Sequence, residues 1–164
     1  MPDYFTRHRP APHATAYLYR MRLALSFLCV LCFACERVVD APAFDVAPRI
    51  ELVAVSAETV SAFTEPLLIT LAYEDGDGDL GTSDPDVNLI TVRDSRLPAA
   101  DTYYLPPLAP EGETLSIQGE LLLELPAFFL LGNGSREEID LTITLTDRAG
   151  NTSNAVGVAV SVVR

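Results

Sequence analysis

Hydrophobic and polar residues alternate along much of the chain after residue 49, as they do in β-strands that bury one face. The alternation is clearest in "EIDLTITLTD" (residues 138–147) and "NAVGVAVSVV" (residues 154–163). Four further segments are rich in branched and hydrophobic residues and are also predicted to be strands: 49–57, 67–74, 87–94 and 114–125. Turn residues separate these segments, a pattern typical of antiparallel sheets with one face buried and one solvated.

The pattern predicts an all-β fold, an immunoglobulin-like antiparallel β-sandwich of about seven strands over residues 49–164. No segment has the periodicity of a convincing amphipathic helix. In "LPAFFLLGNG" (125–134) we expect one helical turn that closes an end of the core, or alternatively an edge-strand connection. The three prolines of "LPPLAPEG" (105–112) predict an exposed crossover or edge. The chain has no tryptophan, and a cysteine pair of the antibody type is also missing.

A short apolar run near the N-terminus changes the domain boundaries. Residues 23–34 are uncharged and mostly apolar and follow Arg20 and Arg22. The run is shorter than the roughly 20 residues that cross a bilayer, so it indicates a secretory signal over residues 21–34. Met21 is the first residue of this signal and directly precedes its basic and apolar pattern, and residues 1–20 are therefore predicted to be a mis-assigned upstream extension. A buried apolar helix is the alternative interpretation.

All three cysteines lie between residues 29 and 35, at the end of the apolar run. This clustering is unlike a disulfide scaffold, whose cysteines are spread through the folded part. Cys35 follows a small residue and resembles the lipid-modified cysteine of bacterial lipoproteins. The resemblance implies that Cys35 begins the mature chain and anchors it to a membrane, and that residues 35–48 form a tether. Plain secretion after signal cleavage is the alternative.

Without residues 1–34 the chain is strongly acidic. It then has 22 acidic residues against 7 arginines, a net charge of −15, and no lysine. Such a surface repels nucleic-acid phosphates and attracts divalent cations. Nucleic-acid binding is therefore excluded from the functions that we consider.

Six acidic residues and no basic one occur in "AYEDGDGDLGTSDPD" (72–86). Asp75, Asp77 and Asp79 alternate with glycine, and a compact loop with this spacing can direct several carboxylates to one point. Calcium takes six to eight oxygen ligands in flexible geometry. Asp86 falls at the twelfth position counted from Asp75, as in the calcium loop of helix-loop-helix proteins, but Leu80 stands where that loop has glycine. The sequence thus predicts a structural Ca²⁺ site without the helix-loop-helix fold.

A second turn, "TDRAGNTSN" (146–154), joins the last two predicted strands. In an immunoglobulin-type sandwich this F–G turn and the acidic B–C loop emerge at the same end. Asp147 or Asn151 is then expected to complete the coordination, unless Arg148 neutralises part of the loop. The predicted metal ligands are Asp75, Asp77, Asp79, Asp86, Asp147 and Asn151. The alternatives are a solvated acidic surface and ordinary hairpin capping.

The segments "AYEDGDGDLG", "QGELLLELP" and "ITLTDRAGNTSNAV", behind a lipoprotein signal, resemble small lipoproteins of Bacteroidota with one immunoglobulin-like domain. The resemblance implies a location in the cell envelope, as an outer-membrane lipoprotein, and no particular activity. The part of the chain after Cys35 has no histidine and no further cysteine, so the common nucleophilic pairs are unavailable.

We therefore expect a non-catalytic interaction or structural module, attached to the membrane through Cys35, whose partner is an unknown envelope protein or glycan. The alternative is a carbohydrate- or peptide-binding accessory lipoprotein of an outer-membrane uptake or envelope complex.

Overall fold

The computed structural model describes residues 43–164, which form eight β-strands. The strands are β1 (Arg49–Val55), β2 (Thr59–Ser61), β3 (Leu67–Asp75), β4 (Asn88–Asp94), β5 (Asp101–Tyr104), β6 (Ile117–Leu125), β7 (Arg136–Leu145) and β8 (Val156–Val163). The predicted extension (1–20), the signal (21–34), Cys35 and the first part of the tether lie outside the described residues. Between residues 43 and 164 no helix has the length and apolar character needed to cross a membrane.

The strands form two sheets, one with the order β1-β3-β6 and one with the order β2-β8-β7-β4-β5. The predicted all-β sandwich is confirmed, with eight strands in place of about seven. One pair departs from the antiparallel prediction, because β2 runs parallel to β8. This pair arises where the chain leaves the three-stranded sheet after Val55 and joins the edge of the other sheet.

The alternating residues place one hydrophobic face of each sheet in a shared core. On β7 the four residues Ile139, Leu141, Ile143 and Leu145 are each 1% exposed or less. From the three-stranded sheet, β3 contributes Leu67, Ile69 and Leu71, which are fully buried. The alternation that predicted the strands therefore also predicts which residues form the core.

Residues 126–134 form no helical turn, so that expectation was wrong; they are an irregular connection from the edge strand β6 to β7, as the alternative predicted. Phe128 and Leu130 do pack against the core at this end of the sandwich. The backbone carbonyl of Phe128 accepts a hydrogen bond from the Phe63 amide at 2.9 Å. This carbonyl therefore bonds to the connection between β2 and β3, which is distant in sequence, and not to an amide within its own segment as in a helical turn.

The proline-rich segment 105–112 crosses between the two sheets, from β5 to β6, as predicted. It is not exposed throughout, since Leu105 and Ala109 are 4% and 7% exposed. The short strands β2 and β5 were not predicted. Both are edge strands of three or four residues, too short to show a period.

Candidate metal centre

The acidic loop begins where β3 ends, and Asp75, the last residue of that strand, holds its first turn. One carboxylate oxygen of Asp75, Oδ2, accepts hydrogen bonds from the amides of Gly78 at 2.7 Å and of Asp79 at 3.0 Å. Gly78 has a φ of +76°, a conformation that favours glycine. The turn therefore depends both on the aspartate that caps it and on the glycine inside it.

Leu80 anchors the loop to the core. Its side chain is fully buried, and its carbonyl accepts a hydrogen bond from the Leu108 amide at 3.0 Å. Gly81 follows with a φ of +80° and lies against the backbone of Pro106, where a Cβ would clash. Leu80, which replaces the glycine of a helix-loop-helix calcium loop, thus fixes the acidic loop to the core.

Three aspartates converge at the end of the sandwich where this loop lies. One carboxylate oxygen from each of Asp75, Asp79 and Asp147 lies within 4.8 Å of the other two. Asp75 and Asp147 are 0% and 2% exposed, which is unusual for ionisable groups that have no basic partner among the described residues. The cluster joins the two sheets, because Asp75 ends β3 and Asp147 follows β7.

Three buried carboxylate oxygens in this loop have no hydrogen-bond partner among residues 43–164: Oδ1 of Asp75, Oδ1 of Asp77 and Oδ1 of Asp79. A buried polar atom without a partner costs free energy, and a buried negative charge costs more. A cation bound between these oxygens would supply the missing interaction. The negative charge of Asp77 acts on both Asp75 and Asp79 and raises their pKa values, so Asp77 lies near the cluster with an oxygen that is available to a metal.

The turn between β7 and β8 is fixed against the acidic loop by backbone hydrogen bonds. The Ala149 amide donates to Oδ2 of Asp79 at 3.0 Å, and the Arg148 amide donates to the Asp79 carbonyl at 3.3 Å. Asn151 holds Asp147 in place, since its amide and its side-chain Nδ2 donate to the two Asp147 carboxylate oxygens at 2.7 and 2.8 Å. The sequence-based prediction that the two loops meet at one end of the sandwich agrees with this geometry.

Arg148 does not neutralise the cluster in the structure. Its guanidinium donates to the carbonyls of Gly81 at 2.7 Å and Gly78 at 3.4 Å. No ion pair joins an arginine to Asp75, Asp77, Asp79 or Asp147 within the described part of the chain. Arg148 therefore binds backbone carbonyls of the acidic loop, and the negative charges of the carboxylates remain without a basic partner among the described residues.

Burial and mutual repulsion change the protonation of the cluster. Burial, followed by the negative charges of Asp147 and Asp77, raises the pKa of Asp79 to about 6. Burial also raises the pKa of Asp75, although the Gly78 amide opposes the change. Both shifts show that the metal-free site disfavours its own negative charge.

Of the predicted ligands, Asp86 lies away from the three converging carboxylates, and Asn151 is a hydrogen-bond partner of one of them. Asp86 is exposed, and its amide donates to Oδ1 of Asp84 within the second half of the loop. Asn151 contacts the cluster through Asp147, as described above. Contacts that the sequence did not indicate come from Leu115, whose amide donates to the Asp77 carbonyl at 3.3 Å, and from Ser116, whose hydroxyl donates to the Gly76 carbonyl at 3.1 Å.

The segment that precedes β1 also reaches the acidic loop. The carbonyl oxygens of Phe44 and Asp45 lie so close to Gly76 that a Cβ there would clash with both. Asn154 binds the start of β1, donating to the Ile50 carbonyl at 2.8 Å and accepting from the Ile50 amide at 2.9 Å. Gly76, the first glycine of the loop, is thus needed for this close approach and not for a positive φ.

Comparison of the chain with protein-family models, with curated proteins and with solved structures gave no match. Fold and site together define an all-β sandwich that carries, at one end, a buried cluster of three aspartates able to hold a metal ion.

Proposed function

We propose that this chain is a non-catalytic lipoprotein of the cell envelope, an interaction or structural module whose acidic end is held together by Ca²⁺. The observation that carries the proposal is the set of three buried, unpaired oxygens on Asp75, Asp77 and Asp79 beside the carboxylate of Asp147. Carboxylate oxygens are the ligands that hard cations take in proteins. The location at the envelope is supported by the signal-like run before Cys35.

Calcium suits this site better than magnesium. Magnesium requires near-ideal octahedral geometry and keeps several of its waters, whereas calcium accepts many oxygens in irregular arrangements. The candidate ligands come from a glycine-rich loop and a separate hairpin turn, an irregular arrangement with several carboxylates. A structural role fits the burial of Asp75 and Asp147, which leaves little of the cluster open to a substrate.

Calcium titration by calorimetry tests the proposal. The purified chain should bind one Ca²⁺, and the double variant Asp77→Asn with Asp79→Asn should not. If calcium binds only the folded state, a concentration of 100 times Kd adds about 2.7 kcal/mol to the free energy of unfolding. This increment should be missing in the double variant.

The matched control is Asp84→Asn with Asp86→Asn, which removes the same charge from the exposed half of the same loop. It should bind calcium as the unaltered chain does. Absence of calcium binding by the unaltered chain would contradict the proposal. Equal losses in the two double variants would show that only general negative charge attracts the ion.

A further inference from the structure

We propose that the open edge of β6 binds an extended, basic segment of a partner protein as an added β-strand. Among residues 43–164, β6 lies at the edge of the three-stranded sheet and pairs only with β3. This inference names a partner class for the interaction module proposed above. It rests on that role and is independent of the calcium site.

The register shows which backbone groups of β6 face outwards. The Leu68 amide donates to the Ser56 hydroxyl at 3.0 Å, and the Leu68 carbonyl accepts from the Ser56 amide at 2.8 Å. The backbone amide and carbonyl of Leu68 therefore face β1. Glu124 lies opposite Leu68 on β6. Because Leu68 makes its backbone hydrogen bonds with β1, the backbone amide and carbonyl of Glu124 must point away from β3. The same holds at every second residue of β6, that is, at Gln118, Glu120 and Leu122.

The other edges are shorter or interrupted. β1 has an irregular register between Leu52 and Ala54, β2 has three residues and β5 has four. Short strands and bulges are the usual protection of edges against unwanted pairing. β6 has nine residues and pairs with β3 without any shift of register. It is thus the edge that is best able to accept another strand.

The side chains at the outward positions define the partner. Leu122 is 65% exposed and stands between Glu120 and Glu124, which are also exposed. A second copy paired antiparallel about Leu122 would place each Glu120 opposite a Glu124, and like charges in that position are destabilising. A strand with basic, apolar and basic residues at alternate positions would instead match all three side chains.

The probe is a fluorescent capped peptide, Thr-Lys-Val-Val-Val-Lys-Thr, whose binding to the full chain is followed by anisotropy. Leu122→Pro removes an amide that the fold does not use, and proline is tolerated at such edge positions. We expect about tenfold weaker peptide binding with little change in the melting temperature, because a backbone hydrogen bond and an apolar contact are both lost.

A charge exchange tests the edge without any change to the backbone. Glu120→Lys with Glu124→Lys should weaken binding of the lysine peptide about tenfold and favour the corresponding glutamate peptide, Thr-Glu-Val-Val-Val-Glu-Thr. The matched control, Glu58→Lys with Glu113→Lys, makes the same charge change at exposed positions outside β6 and should still bind the lysine peptide.

Equal peptide binding by the unaltered chain and both β6 variants would overturn the inference. So would a dimer of the unaltered chain that dissociates on Leu122→Pro, because the edge would then belong to a second copy. The variant Asp77→Asn with Asp79→Asn should keep its peptide binding. Its behaviour separates a failure at this edge from a failure of the calcium site.

Discussion

At the scale of single residues, the two oxygens of Asp75 have different environments. Oδ2 accepts two backbone hydrogen bonds and shapes the turn, whereas Oδ1 is buried and has no partner among the described residues. Asp79 is similar, since Oδ2 accepts from Ala149 and Oδ1 is unpaired. One face of the loop thus organises its backbone, and the other collects negative charge that either a proton or a cation must compensate.

This competition between protons and calcium predicts a pH dependence. The pKa of Asp79 is about 6 in the folded state, above its usual 3.8, so the metal-free folded state binds this proton more tightly than the unfolded state does. The resulting stabilisation is complete below the unfolded pKa and is lost as the pH rises through about 6. Calcium requires the ionised carboxylate, and its stabilising effect should therefore grow from about pH 5 to pH 7.

Melting temperatures measured with and without calcium across this pH range check the prediction. The gap between the two curves should open as the pH rises, and Asp79→Asn should remove the pH dependence that this group contributes. A calcium-induced shift of equal size at pH 5 and pH 7 would be inconsistent with a site built around Asp79.

Residue spacing alone allowed part of the site to be predicted. The alternation of Asp75, Asp77 and Asp79 indicated a shared centre, and the position of Asp147 between the last two strands placed it at the same end. Spacing could not show that Asp86 turns outwards, because the direction of the loop after Asp79 depends on the burial of Leu80. The contact of the Leu115 amide with Asp77 joins backbone atoms distant in the chain and left no mark in the sequence.

At the level of secondary-structure elements, the acidic loop has no regular structure but is fixed against the core and the neighbouring crossover. Leu80 inserts into the core, the Thr82 amide donates to the Leu105 carbonyl at 2.9 Å, and the Leu108 amide donates to the Leu80 carbonyl. The metal-binding half of the loop is therefore positioned by one apolar side chain and by the crossover between β5 and β6.

Leu80→Ala should consequently affect both stability and metal binding. Removal of a fully buried leucine typically costs about 2–5 kcal/mol of the free energy of unfolding, and loss of the anchor should weaken calcium binding as well. Urea unfolding in chelator and calorimetric titration give the two quantities. Leu122→Ala is the matched control, because it makes the same substitution at an exposed position, and a similar small cost for both variants would contradict this role of Leu80.

The elements themselves were predictable where a buried face repeats over many residues, as in β7 and β8. They were not predictable where pairing with a neighbour determines the structure. β2 is a strand because Val60 is buried and its backbone pairs with the end of β8, not because three residues show a period. Residues 126–131 illustrate the opposite case, since their apolar side chains cover the core without any regular backbone.

At the scale of the whole molecule, the two ends of the sandwich differ in their electrostatics. At the end opposite the aspartates, Arg96 forms ion pairs with Asp94 at 2.7 Å and Glu137 at 2.8 Å, so the buried charges there are compensated. At the aspartate end, carboxylates from both sheets meet without such a partner in the part of the chain that the structure describes. A cation at that end would link β3 to the turn after β7 and thereby connect the two sheets.

The most direct test of this link is a crystal structure of the chain grown in millimolar calcium. The account predicts a strong electron-density peak at calcium–oxygen distances of about 2.3–2.6 Å from carboxylate oxygens of Asp75, Asp77, Asp79 and Asp147. Ordered water alone at that position, with these side chains turned towards solvent, would contradict the account.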